Sequence, residues 1–205
     1  RPEINVIVDD VVETEHKNNL QNFLKTWLNK KINIELGSLI KLKDIKSSNS
    51  ATRALSYMLY ENNGVLKRDN IEKLLKNIDQ KERKILREQG VKFGRYHIFL
   101  HKLFKPSVVS LRLILWKNYN EKNYDLEPPT FGLNFLNDKK FNDKNFMLLC
   151  GFEKFDDYFV RIDILERLFL EIISTDTIKN SKIELVPKML NLLGCNKENF
   201  IKLIK

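Results

Sequence analysis

Apolar residues recur at the spacing of an α-helix along most of this 205-residue chain, and capping residues, glycines and prolines interrupt them at short intervals. Asp79 followed by Glu82 has the spacing of a capping box at a helix start, and Gly90 lies where that helix should stop. Asp163 and Glu166 repeat the capping-box spacing further along. Because short amphipathic helices must bury their apolar faces against one another, the pattern predicts a mainly α fold with minor β.

Two stretches account for the predicted β structure. Ile4, Val6 and Val8 alternate in "EINVIV", which is typical of a strand. The segment "FEKFDDYFVR", residues 152–161, predicts two short strands around a turn at the two aspartates. Between these regions Pro106 begins a helix that is apolar on most faces, and we expect it to be buried with Arg112 reaching solvent at an edge.

Residues 118–140 differ in composition from the rest of the chain and indicate a boundary between two subdomains. This stretch is rich in Asn and Asp, contains Pro-Pro and shows no periodicity, so it predicts a linker. We therefore expect a helical accessory subdomain with an N-terminal strand at residues 1–120 and a linker at 121–141. Residues 142–205 would form a small α+β subdomain that ends in a helix-turn-helix-like pair, where Pro187 begins one helix and Gly194 ends it.

The net charge of +9 favours a polyanionic partner, although a chain so rich in Lys, Asn and Ile also fits the codon usage of an AT-rich genome. The two cysteines are isolated and predict reduced thiols in a cytoplasmic protein. No apolar run approaches the roughly 20 residues of a membrane helix, so we expect no membrane contact. The chain lacks an initiator Met, and we expect it to be part of a longer protein.

Motifs of catalysis are absent from the sequence. It contains no phosphate-binding loop, no Gly-x-Ser-x-Gly elbow and no His-Glu-x-x-His. We therefore predict no catalytic, cofactor-binding or metal-binding residues in this chain. His97 and His101 have a metal-ligand spacing only if they lie on a helix, and no third ligand is near in sequence, so a structural histidine is the favoured interpretation.

Cations and aromatic rings alternate between residues 81 and 117, where Glu82 and Glu88 are the only acids. Such a mixture is typical of surfaces that bind single-stranded nucleic acid, because cations hold phosphates while rings stack on bases. The alternative is that the phenylalanines belong to the core and only the cations reach water. The candidate nucleic-acid-binding residues are Lys92, Arg95, Tyr96, His97, Lys102, Lys105 and Arg112.

Three ordered blocks carry a family resemblance: "ILREQGVKFGRYHIFLHKLFKPSVVSLRLILW", "GFEKFDDYFVRIDILERL" and "VPKMLNLLGCNKENF". They resemble the region that follows the motor domains in alphaproteobacterial-type superfamily-two ATP-dependent helicases, relatives of the mitochondrial degradosome-type RNA helicase. The departures from this pattern are Lys92, where Arg is common, and His101, where Pro is common. The first departure weakens the expectation of a bidentate phosphate contact. The matching positions are Leu86, Arg87, Gly90, Val91, Phe93, Gly94, His97, Leu103, Lys105, Pro106, Trp116, Arg161, Asp163, Leu165, Glu166, Arg167, Leu193, Gly194 and Cys195.

The resemblance implies a non-catalytic C-terminal region of a helicase for RNA or DNA. Its N-terminal motor domains would hold ATP and Mg, and this chain would pack on those domains and contact the single strand. A nuclease is a further partner that this class of protein could have. Two alternatives stay open: an interaction scaffold without nucleic-acid contact, and a DNA-binding regulator that uses residues 187–205 as a helix-turn-helix, whose recognition positions Asn196 and Asn199 are weak.

Overall fold

The computed structural model describes residues 2–7, 14–120, 127–137, 143–155, 157–174, 178–179, 182–183 and 186–204. This part of the chain is mainly helical and contains short antiparallel strands, which confirms the predicted fold class. Among the described residues, no helix combines the length and the hydropathy that a bilayer crossing requires.

The first half of the chain contains a helix-turn-helix followed by a β-hairpin. The strand His97–Leu100 (β3) lies between Val65–Lys67 (β1) and Val91–Phe93 (β2) and is antiparallel to both. Residues 76–79 form the short turn between the second and third helices of the unit, and this element order is that of a winged helix. The elements are α2 (Ser50–Glu61), β1 (Val65–Lys67), α3 (Glu72–Leu75), α4 (Gln80–Glu88), β2 (Val91–Phe93) and β3 (His97–Leu100).

Capping explains why α2 and α4 begin where they do. The side chain of Asn49 accepts hydrogen bonds from the first backbone N–H groups of α2. Asp79 accepts one from the backbone N–H of Glu82, as predicted for α4. Gly90 has a φ of 92°, which confirms the predicted helix stop and directs the chain into β2.

A helix of 30 residues, α1 (Thr14–Lys43), precedes this unit. Only its C-terminal half joins the core, where Leu36 and Leu42 are buried. In its N-terminal half an apolar stripe stays exposed, with Phe23 at 67% and Trp27 at 53%. The predicted N-terminal strand is not formed in residues 2–7, and Val8 lies outside the described residues. Instead, the carbonyl of Ile4 accepts a hydrogen bond from a glutamine of α1, because the segment lies along this helix.

The second half contains another three-stranded antiparallel sheet, in which β6 lies between β4 and β5. The predicted hairpin over residues 152–161, the predicted helix that begins at Pro187 and the second helix of the predicted pair are confirmed. The elements are α5 (Pro106–Tyr119), β4 (Phe135–Asn137), α6 (Lys144–Leu149), β5 (Phe152–Phe155), β6 (Tyr158–Arg161), α7 (Ile162–Ser174), β7 (Ile178–Lys179), β8 (Lys182–Ile183), α8 (Pro187–Leu193) and α9 (Lys197–Ile204).

Part of the predicted linker is structured. β4 lies within it and pairs with β6, and Leu136 of β4 is buried. This pairing joins residues more than 20 positions apart, so no local pattern announces it. The remaining linker residues 121–126 and 138–141 lie outside the described part of the chain.

Helix α5 connects the two halves through its opposite faces. Val108 and Leu111 pack in the core of the first half, whereas Val109 and Leu113 pack in a cluster with α6 and the second sheet. A third cluster joins α7, α8 and α9. The apolar character of α5 on most of its faces, noted in the sequence, follows from this position between two cores.

Candidate nucleic-acid interface

The turn between β2 and β3, residues 94–97, closes around the carboxylate of Glu166 on α7. The carboxylate accepts hydrogen bonds from the backbone N–H groups of Arg95, Tyr96 (2.9 Å) and His97 (2.7 Å). Nδ1 of His97 lies 3.2 Å from the same carboxylate. The side chain of Glu166 is nearly buried, so these donors replace the water that an ionised carboxylate requires. The turn that carries the predicted site is therefore fixed by the second half of the chain.

Gly94 permits this close approach. A Cβ atom at position 94 would overlap the carboxyl group of Glu166, so any other residue would force this carboxyl group away from its present position against the turn. Arg68, which directly follows β1, holds the turn from the other side. A guanidinium N–H of Arg68 donates to the carbonyl of Gly94, and the backbone N–H of Arg68 donates to the carbonyl of Tyr96, both at 2.8 Å.

His97 is buried between two carboxylates. Its Nδ1 faces Glu166, and its Nε2 lies 3.3 Å from Oε2 of Glu153 on β5. The other oxygen of Glu153 accepts from Nζ of Lys67 on β1 at 2.7 Å. Burial alone would lower the pKa of His97, but the hydrogen bonds to Glu153 and Glu166 outweigh burial and hold the pKa above its ordinary value. Burial alone would raise the pKa values of Glu153 and Glu166. Their hydrogen bonds, first of all those with His97, outweigh burial and hold both pKa values below the ordinary value of a glutamate.

These shifts predict how the stability of the fold depends on pH. Because the folded pKa of His97 is raised, its contribution is complete below about pH 6.5 and is lost as the pH rises through that raised value. Because the pKa values of Glu153 and Glu166 are lowered, their contributions are present above about pH 4.3 and are lost as the pH falls through those values. We therefore expect the free energy of unfolding by urea to decrease above about pH 6.5.

A comparison of two histidine variants checks this prediction. In His97→Gln the decrease above neutral pH should be much smaller, because the titrating ring between the carboxylates is gone. His101→Gln is the matched control, since the ring of His101 is 53% exposed and should leave the profile unchanged. An unchanged profile in His97→Gln would contradict the assignment.

The two histidines do not share a helix. His97 belongs to β3, and His101 begins a 3₁₀ turn, His101–Phe104, where its Nδ1 lies 3.7 Å from Asp163. No three potential metal ligands come together in the part of the chain that the structure describes. With 3% exposure, His97 is also inaccessible to a base, so its predicted contact with nucleic acid is corrected to a structural role that joins the two halves.

Arg112 also occupies a different position from the predicted one. It was expected to reach solvent and bind nucleic acid, but it is 5% exposed. Its guanidinium donates to the carbonyls of Asn63 (2.8 Å), Leu149 (3.2 Å) and Leu103 (3.4 Å). Burial lowers the pKa of Arg112 to about 10. Arg112 therefore satisfies three carbonyl groups where α5 meets both halves, and we correct its role to a structural one.

The second predicted capping box is wrong. Helix α7 already begins at Ile162, so Asp163 lies inside its first turn and receives two hydrogen bonds from Arg161, at 2.7 and 2.6 Å. Glu166 points away from the helix start to the 94–97 turn. The capping-box spacing was present, but the tertiary partner determined the contact.

Four predicted cations and one ring stay accessible. Lys92, Arg95, Lys102 and Lys105 are exposed, and Tyr96 is 45% exposed. Lys92 is opposite Phe99 in the sheet register. Phe99 stacks on Phe104 with a centroid distance of 5.5 Å, and both rings are buried, as the alternative interpretation of the sequence expected. These exposed residues of 92–105 form what we call the cationic surface.

Sequence reasoning missed three residues of this region: Lys67, Glu153 and Phe169. The ring of Tyr96 contacts Phe169 edge-on at 5.1 Å, and the guanidinium of Arg95 lies 5.7 Å from the same ring. Tyr96 and Phe169 line a pocket of about 390 Å³ whose charged rim includes Lys67 and Glu153. The apolar positions of α7 repeat at helical spacing, but nothing in the sequence separates those that line a pocket from those in the core.

No protein-family model, curated protein or solved structure matches this chain. The resemblance to helicases therefore stays a prediction.

Proposed function

We propose that this chain is the non-catalytic C-terminal region of an ATP-dependent helicase and that its cationic surface contacts single-stranded RNA or DNA. The observation that carries the contact is the separation of accessible from buried groups in one short segment. Lys92, Arg95, Lys102 and Lys105 are exposed beside Tyr96, while Phe99, Phe104 and His97 are buried. The helicase itself is proposed from the sequence resemblance.

The geometry suits a single strand. Exposed ammonium and guanidinium groups hold phosphates without regard to sequence, and the accessible face of Tyr96 can stack on an unpaired base. The pocket beside Tyr96 is larger than one nucleobase, and Phe169 adds a second aromatic wall. Glu166 and Arg68 hold the 94–97 turn in place. The backbone that carries Arg95 and Tyr96 therefore has its position before the nucleic acid binds.

The same proposal assigns partners to other parts of the chain. Motor domains would supply ATP and Mg, which this sequence has no phosphate-binding loop to hold. The exposed stripe of α1 with Phe23 and Trp27 is the surface on which we expect those domains to pack, since exposed aromatic residues of this kind dominate many interfaces. A nuclease partner and action in the cytoplasm belong to the same proposal.

Binding of a fluorescein-labelled 15-nucleotide oligouridine tests the contact. We expect weak binding by the chain that weakens further from 50 to 200 mM salt. The double variant Lys92→Ala/Arg95→Ala should bind less tightly, and the slope of log K against log salt should be less steep by about 1.4, because two phosphate contacts are lost. Fluorescence anisotropy measures both.

The control is Lys197→Ala/Lys202→Ala, which removes the same charge from exposed positions of α9. Equal losses in both variants would show that only net charge matters and would contradict the proposed surface. ATP hydrolysis by this chain would contradict the non-catalytic role.

A further inference from the structure

Helix α4 presents an exposed cationic face outside the cationic surface. Gln80, Lys84 and Arg87 lie about one helical turn apart on the same side, Lys81 lies next to Gln80, and all four residues are exposed. The opposite side carries Leu86, which is fully buried in the core. These cations belong to the basic segment between residues 81 and 117, but they are not among its candidate nucleic-acid-binding residues.

The acids near this face are mostly engaged elsewhere. The carboxylate of Glu82 accepts a hydrogen bond from the hydroxyl of Ser47 at 2.6 Å, and Asp79 caps the helix. Glu88, at the end of the helix, is the remaining exposed acid of α4. In the described part of the chain, no ion pair joins Lys81 or Lys84 to an acid.

Arg83 fixes the orientation of α4. Its guanidinium donates to the carbonyls of Leu75 and Ile78, both at 3.2 Å, and so ties α4 to the end of α3. It also lies 5.9 Å from the ring of Phe93, and Arg87 lies 5.5 Å from that ring. These contacts of Arg83 and Arg87 therefore fix both the angle between α3 and α4 and the position of the β2–β3 hairpin.

We propose that α4 is a recognition helix that enters the major groove of duplex DNA. It is the second helix of a helix-turn-helix, the position from which such domains contact base edges. Lys81, Lys84 and Arg87 would contact phosphates and guanine edges, and Gln80, in the first turn, has the amide that pairs with adenine. The major groove of B-form DNA admits a helix, whereas that of A-form RNA does not, so the duplex is DNA.

This site differs from the two other candidates in the chain. It does not use the cationic surface, which we propose for a single strand. It also differs from the α8–α9 pair, where the side chain of Asn199 lies 3.4 Å from the hydroxyl of Tyr158 and is partly buried. The proposal goes beyond the proposed function and stands without it.

Binding of a 16-base-pair mixed-sequence DNA duplex, followed by fluorescence anisotropy, tests the proposal. The triple variant Lys81→Ala/Lys84→Ala/Arg87→Ala should lose at least about tenfold in affinity at 100 mM salt, and its salt slope should be less steep by about 0.9 for each of the three cations that contacts a phosphate. Because Arg87 also contacts Phe93, the double variant Lys81→Ala/Lys84→Ala is measured as well, and we expect a smaller loss with unchanged thermal unfolding.

The matched control is Lys144→Ala/Lys197→Ala/Lys202→Ala, which removes three charges from exposed positions of α6 and α9. The proposal requires that this control keeps its affinity for the duplex. Three results would overturn it: an equal loss in the control, equal affinity for a duplex RNA of the same sequence, or no binding of duplex DNA. None of these results depends on whether the cationic surface binds a single strand, so the two proposals can fail separately.

Discussion

Glu166→Ala should lower the free energy of unfolding by about 4 kcal/mol, the largest effect that we expect from any single substitution in this chain. The substitution removes the acceptor of three backbone N–H groups in the 94–97 turn and leaves the buried ring of His97 facing only Glu153. Buried donors without an acceptor cost more than the net value of the hydrogen bonds themselves. Urea denaturation at pH 6 measures the loss.

Two further variants make the interpretation specific. Glu88→Ala, at an exposed position of α4, should change the free energy of unfolding by less than about 0.5 kcal/mol. Glu166→Gln keeps one acceptor oxygen but loses the charge, so it should be intermediate. A loss below about 1 kcal/mol in Glu166→Ala would mean that the turn is held by Arg68 and the sheet alone, contrary to our assignment.

Arg112→Ala should lower the free energy of unfolding by about 3 kcal/mol, because two buried carbonyl groups and one partly buried carbonyl group lose their donor. Arg112→Lys should restore little of this loss, since a single ammonium cannot reach carbonyls that a planar guanidinium spans. Thermal and urea unfolding measure both variants.

The same two variants distinguish a structural role of Arg112 from a role in nucleic-acid binding. Lys117→Ala on the same helix is the control, and it should change stability little, because its side chain is only half-buried at the end of α5. If Arg112→Ala kept its stability but bound oligouridine less tightly, the original sequence prediction would be right and the structural role wrong.

These corrections explain why a basic segment is difficult to interpret from sequence. Among the seven predicted contact residues, His97 and Arg112 are buried and donate to groups of the protein itself, whereas the other five remain accessible. The basic side chains of this segment thus have two different roles. Some hold the two halves of the chain together, and the others face solvent. Composition cannot separate these roles, because a guanidinium has the same chemistry toward a carbonyl and a phosphate.

The sequence by itself determined the features that depend on near neighbours in the chain. Asp79 caps α4, Gly90 ends it with a positive φ, and Pro106 begins α5. Caps and stops of this kind act within one turn of helix, so the residues that cause them are visible in a few letters. The mainly α class and the hairpin over residues 152–161 followed for the same reason.

Only the tertiary structure decided the features that depend on distant partners. The strand Phe135–Asn137 exists because Tyr158–Arg161 pairs with it, and Glu166 serves the 94–97 turn because that turn brings three N–H groups to its carboxylate. Contacts between residues that lie about 20 to 70 positions apart leave no periodicity in the local sequence. The capping-box spacing of Asp163 and Glu166 and the linker-like composition around Phe135–Asn137 were therefore both misleading. The cationic face of α4 became a candidate site only when the fold placed that helix second in a helix-turn-helix.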